Sequence, residues 1–161
     1  MEMSNLVSVA VFLALIIIPV WLLVRSSNKK KRQLLAKANK LRAENAMNFT
    51  ESDTWDNAVI GLDKATKKLL WFKEKPEGGH GMVLKLKDFS QCKKVNVSRS
   101  AQVGNDSSQV VDQLGLELIA KEGKAAPLLL EFYNSKDSYL LSTQLELQSK
   151  WQQQIAESLG A

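Results

Sequence analysis

An uncharged run of 19 residues near the N-terminus constrains this chain more than any other feature. Residues 6–24 contain no Asp, Glu, Lys or Arg. A helix that rises about 1.5 Å per residue would be about 28 Å long over this run, close to the roughly 30 Å hydrocarbon core of a bilayer. Inside a soluble protein, a helix that is apolar on every face would need more surrounding structure than this chain offers. The run therefore predicts a transmembrane helix that follows a short tail, residues 1–5.

The charges that flank this run predict its orientation. Eight Lys or Arg lie between residues 25 and 44 against one acidic residue, Glu44, and no Lys or Arg precedes the run. Basic flanks stay on the cytoplasmic side. We therefore expect a single-pass protein of the inner membrane, with the N-terminus outside and the C-terminal part in the cytoplasm. A cleaved signal peptide is the alternative, and cleavage would remove the argument about sidedness.

Residues 25–49 are expected to form a basic helical stem, because residues 29–46 contain no Gly or Pro and carry a partial apolar stripe at helical spacing. The stem allows a solvated stalk, a helix that self-associates or lies along the membrane, or a nucleic-acid arm. No nucleic-acid partner is expected, because residues 45–161 hold 14 basic and 15 acidic residues. Basic residues beside the anchor are expected to contact anionic headgroups; they are Arg25, Lys29, Lys30, Lys31 and Arg32.

Residues 50–161 are expected to form a separate, mainly-β (α+β) domain. The polar residues 50–54 predict a linker, and residues 100–109, which are small and polar, predict a long loop. Between such segments the chain carries runs rich in apolar and β-branched residues, which indicate seven strands. The expected strands cover residues 57–62, 68–73, 82–87, 92–98, 114–120, 127–133 and 138–141.

The last part of the chain changes from strand to helix periodicity. Thr143 and Glu146 form a capping box at the start of a helix expected over residues 143–159. Its apolar residues recur every four positions and are expected to plug the β domain; they are Leu147, Trp151, Ile155 and Leu159. The opposite, polar face is expected to carry Gln148, Gln152, Gln153 and Glu157.

Seven strands followed by one amphipathic helix with a tryptophan resemble the pleckstrin-homology-like fold, a seven-stranded open barrel capped by its C-terminal helix. The chain is also similar to uncharacterised bacterial single-pass membrane proteins that carry such a domain in the cytoplasm. Three segments carry this second resemblance: Gly61-Leu62-Asp63-Lys64, Asp88-Phe89-Ser90 before Cys92, and Leu130-Glu131-Phe132-Tyr133. The resemblance implies an architecture and no particular activity.

Lysines near one hairpin give the clearest candidate site. The pleckstrin-homology resemblance implies that basic residues around the first hairpin would bind a lipid headgroup, and the nearest equivalents are Lys64, Lys67 and Lys68, with Lys85 and Lys87 on the next strand. No Arg is available there for bidentate phosphate binding. A solvated hairpin tip is the competing interpretation.

The remaining chemically notable residues are assigned structural roles. His80, in the glycine-rich segment 78–81, is expected in an exposed loop, and Cys92 is expected to be a small buried hydrophobe. Core or edge packing is expected for Trp55 and Trp71, with a binding face as the alternative, and the turn residues Asp63 and Asp88 are expected to accept local backbone hydrogen bonds. No catalytic residue, metal site or cofactor is predicted.

These patterns favour a non-enzymatic binding or scaffolding module that is displayed on a membrane. Its partner would be a protein or peptide added to a sheet edge or to the groove beside the C-terminal helix. A lipid-sensing module that uses Lys64, Lys67 and Lys68 is the alternative.

Overall fold

The structure, a computed structural model, describes residues 29–75, 78–103, 106–122, 126–137 and 142–160. These residues form two antiparallel sheets with seven strands and a C-terminal helix, which confirms the mainly-β expectation. The expected anchor at residues 6–24, Arg25 and the expected strand at residues 138–141 lie outside the described residues. No helix within the described ranges is long and apolar enough to cross a membrane.

The first sheet contains four strands in chain order: β1 (Glu51–Trp55), β2 (Ala58–Asp63), β3 (Lys68–Lys75) and β4 (Gly78–Lys85). Every residue of β2 is buried, as are residues 69–73 of β3. Strands that are covered on both faces favour continuous apolar runs over alternation. The two central strands therefore need packing partners on both sides of the sheet.

The second sheet contains β5 (Phe89–Val103), β6 (Asp106–Ala120) and β7 (Leu128–Asn134), also in chain order. A short 3₁₀ helix, η1 (Leu86–Asp88), leads into it from β4. The C-terminal helix α2 (Ser142–Gly160) packs against β5, β6, β7 and η1. The core lies between the two sheets and α2.

The structure differs from the expected strand boundaries in several segments. The end of the expected strand at residues 82–87 lies in η1, and β5 begins at Phe89, three residues before the expected start. The expected linker at residues 50–54 contains β1, an edge strand whose only partner within the described residues is β2. Residues 100–103 and 106–109, expected in a loop, extend the β5–β6 hairpin, because backbone pairing does not require apolar side chains. Residues 78–81, also expected in a loop, begin β4; a Cβ at Gly79 or Gly81 would collide with the Phe72 ring.

Three aromatic rings form the centre of the core where the two sheets meet. The Trp55 ring stacks on Phe132 at 4.8 Å between centroids, and Trp71 tilts against both rings. The Trp55 Nε1–H group donates to the Phe132 carbonyl oxygen at 3.0 Å, so the buried indole keeps a hydrogen-bond partner. This arrangement matches the core role expected for Trp55 and Trp71.

The basic stem forms a helix, α1, over residues 29–44 of the described chain. Leu34 and Ala38 are buried in a second apolar cluster with Val59, Leu70 and Phe72, on the face of the first sheet that points away from the core. A solvated stalk does not describe this segment, because α1 covers the sheet. The partial apolar stripe of the stem is its contact surface with β2 and β3.

The end of α1 is fixed by a Schellman motif. The Met47 amide donates to the Arg42 carbonyl at 3.1 Å, the Ala46 amide donates to the Ala43 carbonyl at 3.1 Å, and Ala46 has a φ of 49°. Met47 is buried in the same cluster as Leu41, which supplies the apolar contact that accompanies this motif. The motif usually places glycine where this chain has Ala46.

We expect Ala46→Gly to raise the free energy of unfolding by about 0.5–1 kcal/mol, because glycine adopts a positive φ without the steric cost that a Cβ incurs. Urea unfolding followed by circular dichroism measures the change. Ala43→Gly is the matched control: Ala43 is exposed within α1, so the same replacement should lower the stability by about 1 kcal/mol. Equal loss of stability in both variants would contradict the assignment of Ala46 to the C′ position.

Candidate interaction surface

Helix α2 is held in the core by its apolar face. Trp151 and Ile155 are fully buried, and Leu147 and Leu159 pack against the same cluster at half-buried positions. The Trp151 Nε1–H group donates to Asp53 Oδ2 on β1 at 2.8 Å, so the helix is also bonded to the first sheet. The four residues expected to form the plug thus all face the core.

The polar side of α2 differs from the expectation at Gln148. Its side chain is 1% exposed, not on a solvated face. The Gln148 amide donates to the Gly115 carbonyl at 2.8 Å and to Asn96 Oδ1 at 2.8 Å. The pairing of β6 with β7 shifts register between Leu114 and Gly115, and the amide bonds a carbonyl at that irregularity. Gln148 therefore belongs to the joint between α2 and the second sheet.

The outer edge of β5 is the candidate interaction surface. Within the described residues β5 pairs only with β6, so its other edge has no strand partner. Residues 96–100 on this strand are exposed. An unpaired edge presents backbone donors and acceptors that a further strand can pair with.

Helix α2 packs against β5, and its Gln148 and Gln152 side chains donate to the Val95 and Cys92 carbonyls at 3.3 and 3.4 Å. Lys94 Nζ on β5 donates to the Ser149 hydroxyl on α2 at 2.9 Å, which marks where the two elements approach. Toward the end of α2 the two elements border an open groove of about 340 Å³. Its lining comes from the start of β5 and the last turn of α2: Ser90, Gln91, Cys92, Lys93, Ala156, Leu159 and Gly160.

The lysines expected to bind anions lie at the turn between β2 and β3. Because β1 precedes them, this turn belongs to the second hairpin of the sheet and not to the first. Lys64 Nζ pairs with Glu51 at 3.3 Å, and Lys68 Nζ donates to the Asn45 carbonyl at the end of α1 at 2.9 Å. The ammonium groups of Lys64 and Lys68 therefore have protein partners, which reduces their capacity to surround an anion. Lys85 pairs in register with Lys68, and Lys87 lies in η1.

Asp63 connects the segment that follows α1 to the β2–β3 turn through two hydrogen bonds. It is 2% exposed; its Oδ2 accepts the Asn48 amide at 2.8 Å, and its Oδ1 accepts the Thr66 amide at 3.0 Å. The hydrogen bond from Asn48 holds the pKa of Asp63 below its ordinary value; burial opposes this shift, and bonds from Thr66 and Ala65 reinforce it. The bond from Thr66 matches the local role expected for Asp63. The bond from Asn48 connects Asp63, in addition, to the segment that follows α1.

This geometry makes the contribution of Asp63 to stability dependent on pH. The folded-state pKa lies below the unfolded-state value of about 3.9, so the contribution is present above that value and is lost as the pH falls through the folded-state pKa. We expect Asp63→Asn to cost about 1–3 kcal/mol at pH 7, because an amide has one acceptor oxygen where Asp63 uses two. Urea unfolding at pH 7 and pH 2.5 should show this difference shrinking at low pH. A difference independent of pH would contradict the assignment.

The other residues singled out in the sequence occupy ordinary positions. His80 is exposed on β4, opposite Lys73 in register. Cys92 is a free, buried cysteine of the core, and burial raises the pKa of its thiol to about 12, which suits the expected role as a buried hydrophobe. Asp88 lies in η1, where its carbonyl accepts the Lys121 amide at 2.9 Å.

A polar network that joins the two sheets was missed by the sequence analysis. Lys73 on β3 is buried, and its Nζ pairs with Glu131 on β7 at 2.6 Å. Gln113 and Asn134 donate to the other Glu131 oxygen at 2.6 and 3.0 Å. Burial raises the pKa of Glu131, but the bonds from Lys73, Asn134 and Gln113 outweigh it, and the pKa lies below its ordinary value. Both oxygens of the Glu131 carboxylate accept hydrogen bonds within the protein, so we assign the network a structural role.

Comparisons of the chain with protein-family models, with curated proteins and with solved structures found no match. Among the described residues, no group of three His, Cys, Asp or Glu is placed to hold a metal ion. The geometry of the described residues is therefore the basis for a functional proposal.

Proposed function

We propose that this chain is a non-enzymatic binding module, anchored in the inner membrane by residues 6–24, that displays its β domain to the cytoplasm. Its partner is a protein or peptide segment that adds as a strand to the outer edge of β5, beside α2. The single observation that carries this proposal is that the outer edge of β5 pairs with no strand of the described residues, on a strand that α2 contacts. Backbone hydrogen bonds would supply affinity, and the adjoining groove would supply selectivity.

The order of the elements supports a pleckstrin-homology-like architecture for the domain. A four-stranded antiparallel sheet precedes a three-stranded one, and the last helix inserts Trp151 between them. An open barrel of this kind has sheet edges that a helix only partly covers. Fold and function remain separate inferences, because one fold serves many functions.

The membrane anchor would favour binding between such a module and partners on the same membrane. Confining a domain to a surface raises its effective concentration for any partner that shares the surface. The basic residues next to the anchor would add contacts with anionic headgroups, each worth about 1 kcal/mol near the surface. These are Arg25, which lies outside the described residues, and Lys29, Lys30, Lys31 and Arg32.

The alternative of lipid sensing through Lys64, Lys67 and Lys68 has less support. Lys64 and Lys68 are engaged by Glu51 and by the Asn45 carbonyl. The first hairpin of the sheet turns at Asp56 and Asn57, which carry no positive charge. Flotation of a chain that lacks residues 1–28, with and without these three lysines changed to glutamine, on vesicles with and without phosphatidylglycerol would test the alternative.

Photo-crosslinking in intact cells tests the proposed surface. A photoreactive phenylalanine replaces Val97, which is 46% exposed on β5, and in a matched chain it replaces Leu129, which is 41% exposed on β7. We expect one defined protein adduct from position 97 and a much weaker one from position 129. Adducts of equal strength at both positions, or an adduct at 129 alone, would contradict the assignment to β5.

A further inference from the structure

We propose that α1 holds the β domain upright on its membrane, so that the N-terminal end of α1 meets the headgroups and the β2–β3 turn points away from them. This inference rests on the proposed function, since it requires the anchor. It adds an orientation to the proposed function and limits which surfaces can face lipid. Three observations support it: a group of four basic residues at the start of α1 (the collar), the contacts that hold α1 against the first sheet (the clamp), and the length of α1.

The collar consists of Lys29, Lys30, Lys31 and Arg32, the first four described residues of α1, all of them exposed. Consecutive helical residues are about 100° apart, so four in a row surround the helix axis at one level. A helix that lies flat on a membrane needs its basic residues along one face, over several turns. A ring of charge at one level instead suits a helix that enters the headgroup layer end-on.

Basic residues farther along α1 are engaged by the protein. Lys37 Nζ pairs with Glu74 on β3 at 2.6 Å, and Lys40 Nζ lies 3.9 Å from Glu44. Arg42 donates from Nε to the Met47 carbonyl and lies over the Phe49 ring. Of the five cations of α1 that no carboxylate pairs with in the described residues, four form the collar and the fifth is Arg42, which argues against a flat orientation.

The clamp prevents the domain from swinging about the helix. Leu34, Ala38 and Leu41 pack along the first sheet over two turns of α1. Beyond the helix, the Asn48 amide bonds Asp63, and the Thr50 amide donates to the Leu62 carbonyl at 2.7 Å. Apolar contacts on one side and hydrogen bonds at the far end make α1 and the first sheet one unit.

The length of α1 sets the distance of each end from the bilayer. Four residues, 25–28, separate the expected anchor from Lys29, so this end of α1 is at most about 18 Å from the end of the anchor even if they are fully extended. Lys68 bonds Asn45, which lies about 24 Å farther along an upright helix. Electrostatic attraction to headgroups decays over about 8–10 Å at physiological salt. In this orientation the β2–β3 lysines are therefore too far away for their own bilayer to attract them.

Fluorescence quenching in vesicles tests the orientation. The full chain is reconstituted in phosphatidylethanolamine and phosphatidylglycerol with a lipid that carries a nitroxide on its headgroup. One fluorophore is attached at Ala36→Cys, Ala43→Cys or Lys64→Cys; Ala36 and Ala43 are exposed on one side of α1, two turns apart. Cys92 stays unlabelled because its thiol is buried.

We expect at least twofold stronger quenching at position 36 than at position 43, and almost none at position 64. Equal quenching at 36 and 43, or the strongest quenching at 64, would overturn the upright orientation while leaving the anchor intact. Release of the chain from the vesicles by a high-salt wash would instead overturn the proposed function, and the orientation with it.

A charge variant tests the collar separately. Changing its four residues to glutamine should bring the ratio of quenching at 36 and 43 toward one, because the end-on contact is lost. Lys37→Gln with Lys40→Gln is the matched control and should leave the ratio unchanged, since these lysines are paired within the protein. An unchanged ratio in the collar variant would overturn the role assigned to the collar.

Discussion

Trp151→Ala is expected to lower the free energy of unfolding of the β domain by about 3–5 kcal/mol, a large share of the roughly 5–15 kcal/mol that stabilises an ordinary domain. The indole is fully buried between the two sheets, and its removal would leave a cavity that the rigid sheets cannot close. It would also leave Asp53 without the Nε1–H donor at 2.8 Å. Urea unfolding of the full chain in detergent, followed by circular dichroism, measures the loss.

Two controls separate packing from hydrogen bonding in this prediction. Trp151→Phe keeps much of the ring volume but loses the Nε1–H group, so we expect a loss of about half the alanine value. Leu145→Ala removes a side chain that is 39% exposed on the same helix and should change the stability by no more than about 0.5 kcal/mol. A loss below about 1 kcal/mol for Trp151→Ala would show that α2 is not the plug of the domain.

Lys73→Met is expected to cost about 3 kcal/mol, because it leaves the Glu131 carboxylate in the joint between the sheets without its cation. Lys73 is 8% exposed at its side chain and Glu131 is 21% exposed, so water can replace the lost partner only in part. Urea unfolding at pH 7 measures the cost. At low pH, where Glu131 is protonated, the cost should shrink.

The double variant Lys73→Met with Glu131→Gln decides whether the charges act as a pair. It removes both charges and keeps side chains that Gln113 and Asn134 can bond, so it should be more stable than Lys73→Met alone by at least about 1 kcal/mol. Strictly additive losses from the two single variants would mean that the Lys73–Glu131 ion pair contributes no coupling and that Lys73 acts through its packing and its contact with Asp137 at 3.6 Å.

Periodicity was sufficient to predict the parts of the fold that depend on one element alone. The four-residue spacing of Leu147, Trp151, Ile155 and Leu159 predicted α2, and apolar runs located β2, β3 and β7 to within a few residues. Strand β1 was missed because its sequence, Glu-Ser-Asp-Thr-Trp, is mostly polar. Only pairing with β2 makes these residues a strand.

Features that depend on distant partners could not be read from local patterns. Lys73 and Glu131 are 58 positions apart, and neither looks buried in its own segment. The burial of Gln148 could not be predicted either, because its partner Gly115 lies at the register shift between β6 and β7 in the second sheet. The apolar stripe on α1 was visible in the sequence. Its packing partner, the outer face of the first sheet, could be identified only from the fold.

The candidate surface was predicted only as a type of contact. A sheet edge or a groove beside the last helix was expected, but the sequence did not specify which strand would be the edge. The order β5-β6-β7 leaves β5 and β7 as the edges of the second sheet, and we propose β5 because Lys94 and Val95 on it bond to α2. The lysine site was assigned to the first hairpin because β1 was not recognised, and this shift of one strand weakens the lipid alternative.

Protease digestion of intact cells tests the central proposal, a membrane-held domain on the cytoplasmic side, most directly. With a tag at the C-terminus, we expect the full chain to sediment with membranes after a carbonate wash and to resist protease added outside the cells. Permeabilised cells serve as the control, in which the tag should be digested. A tag that is digested in intact cells, or a chain that the carbonate wash releases, would contradict the account.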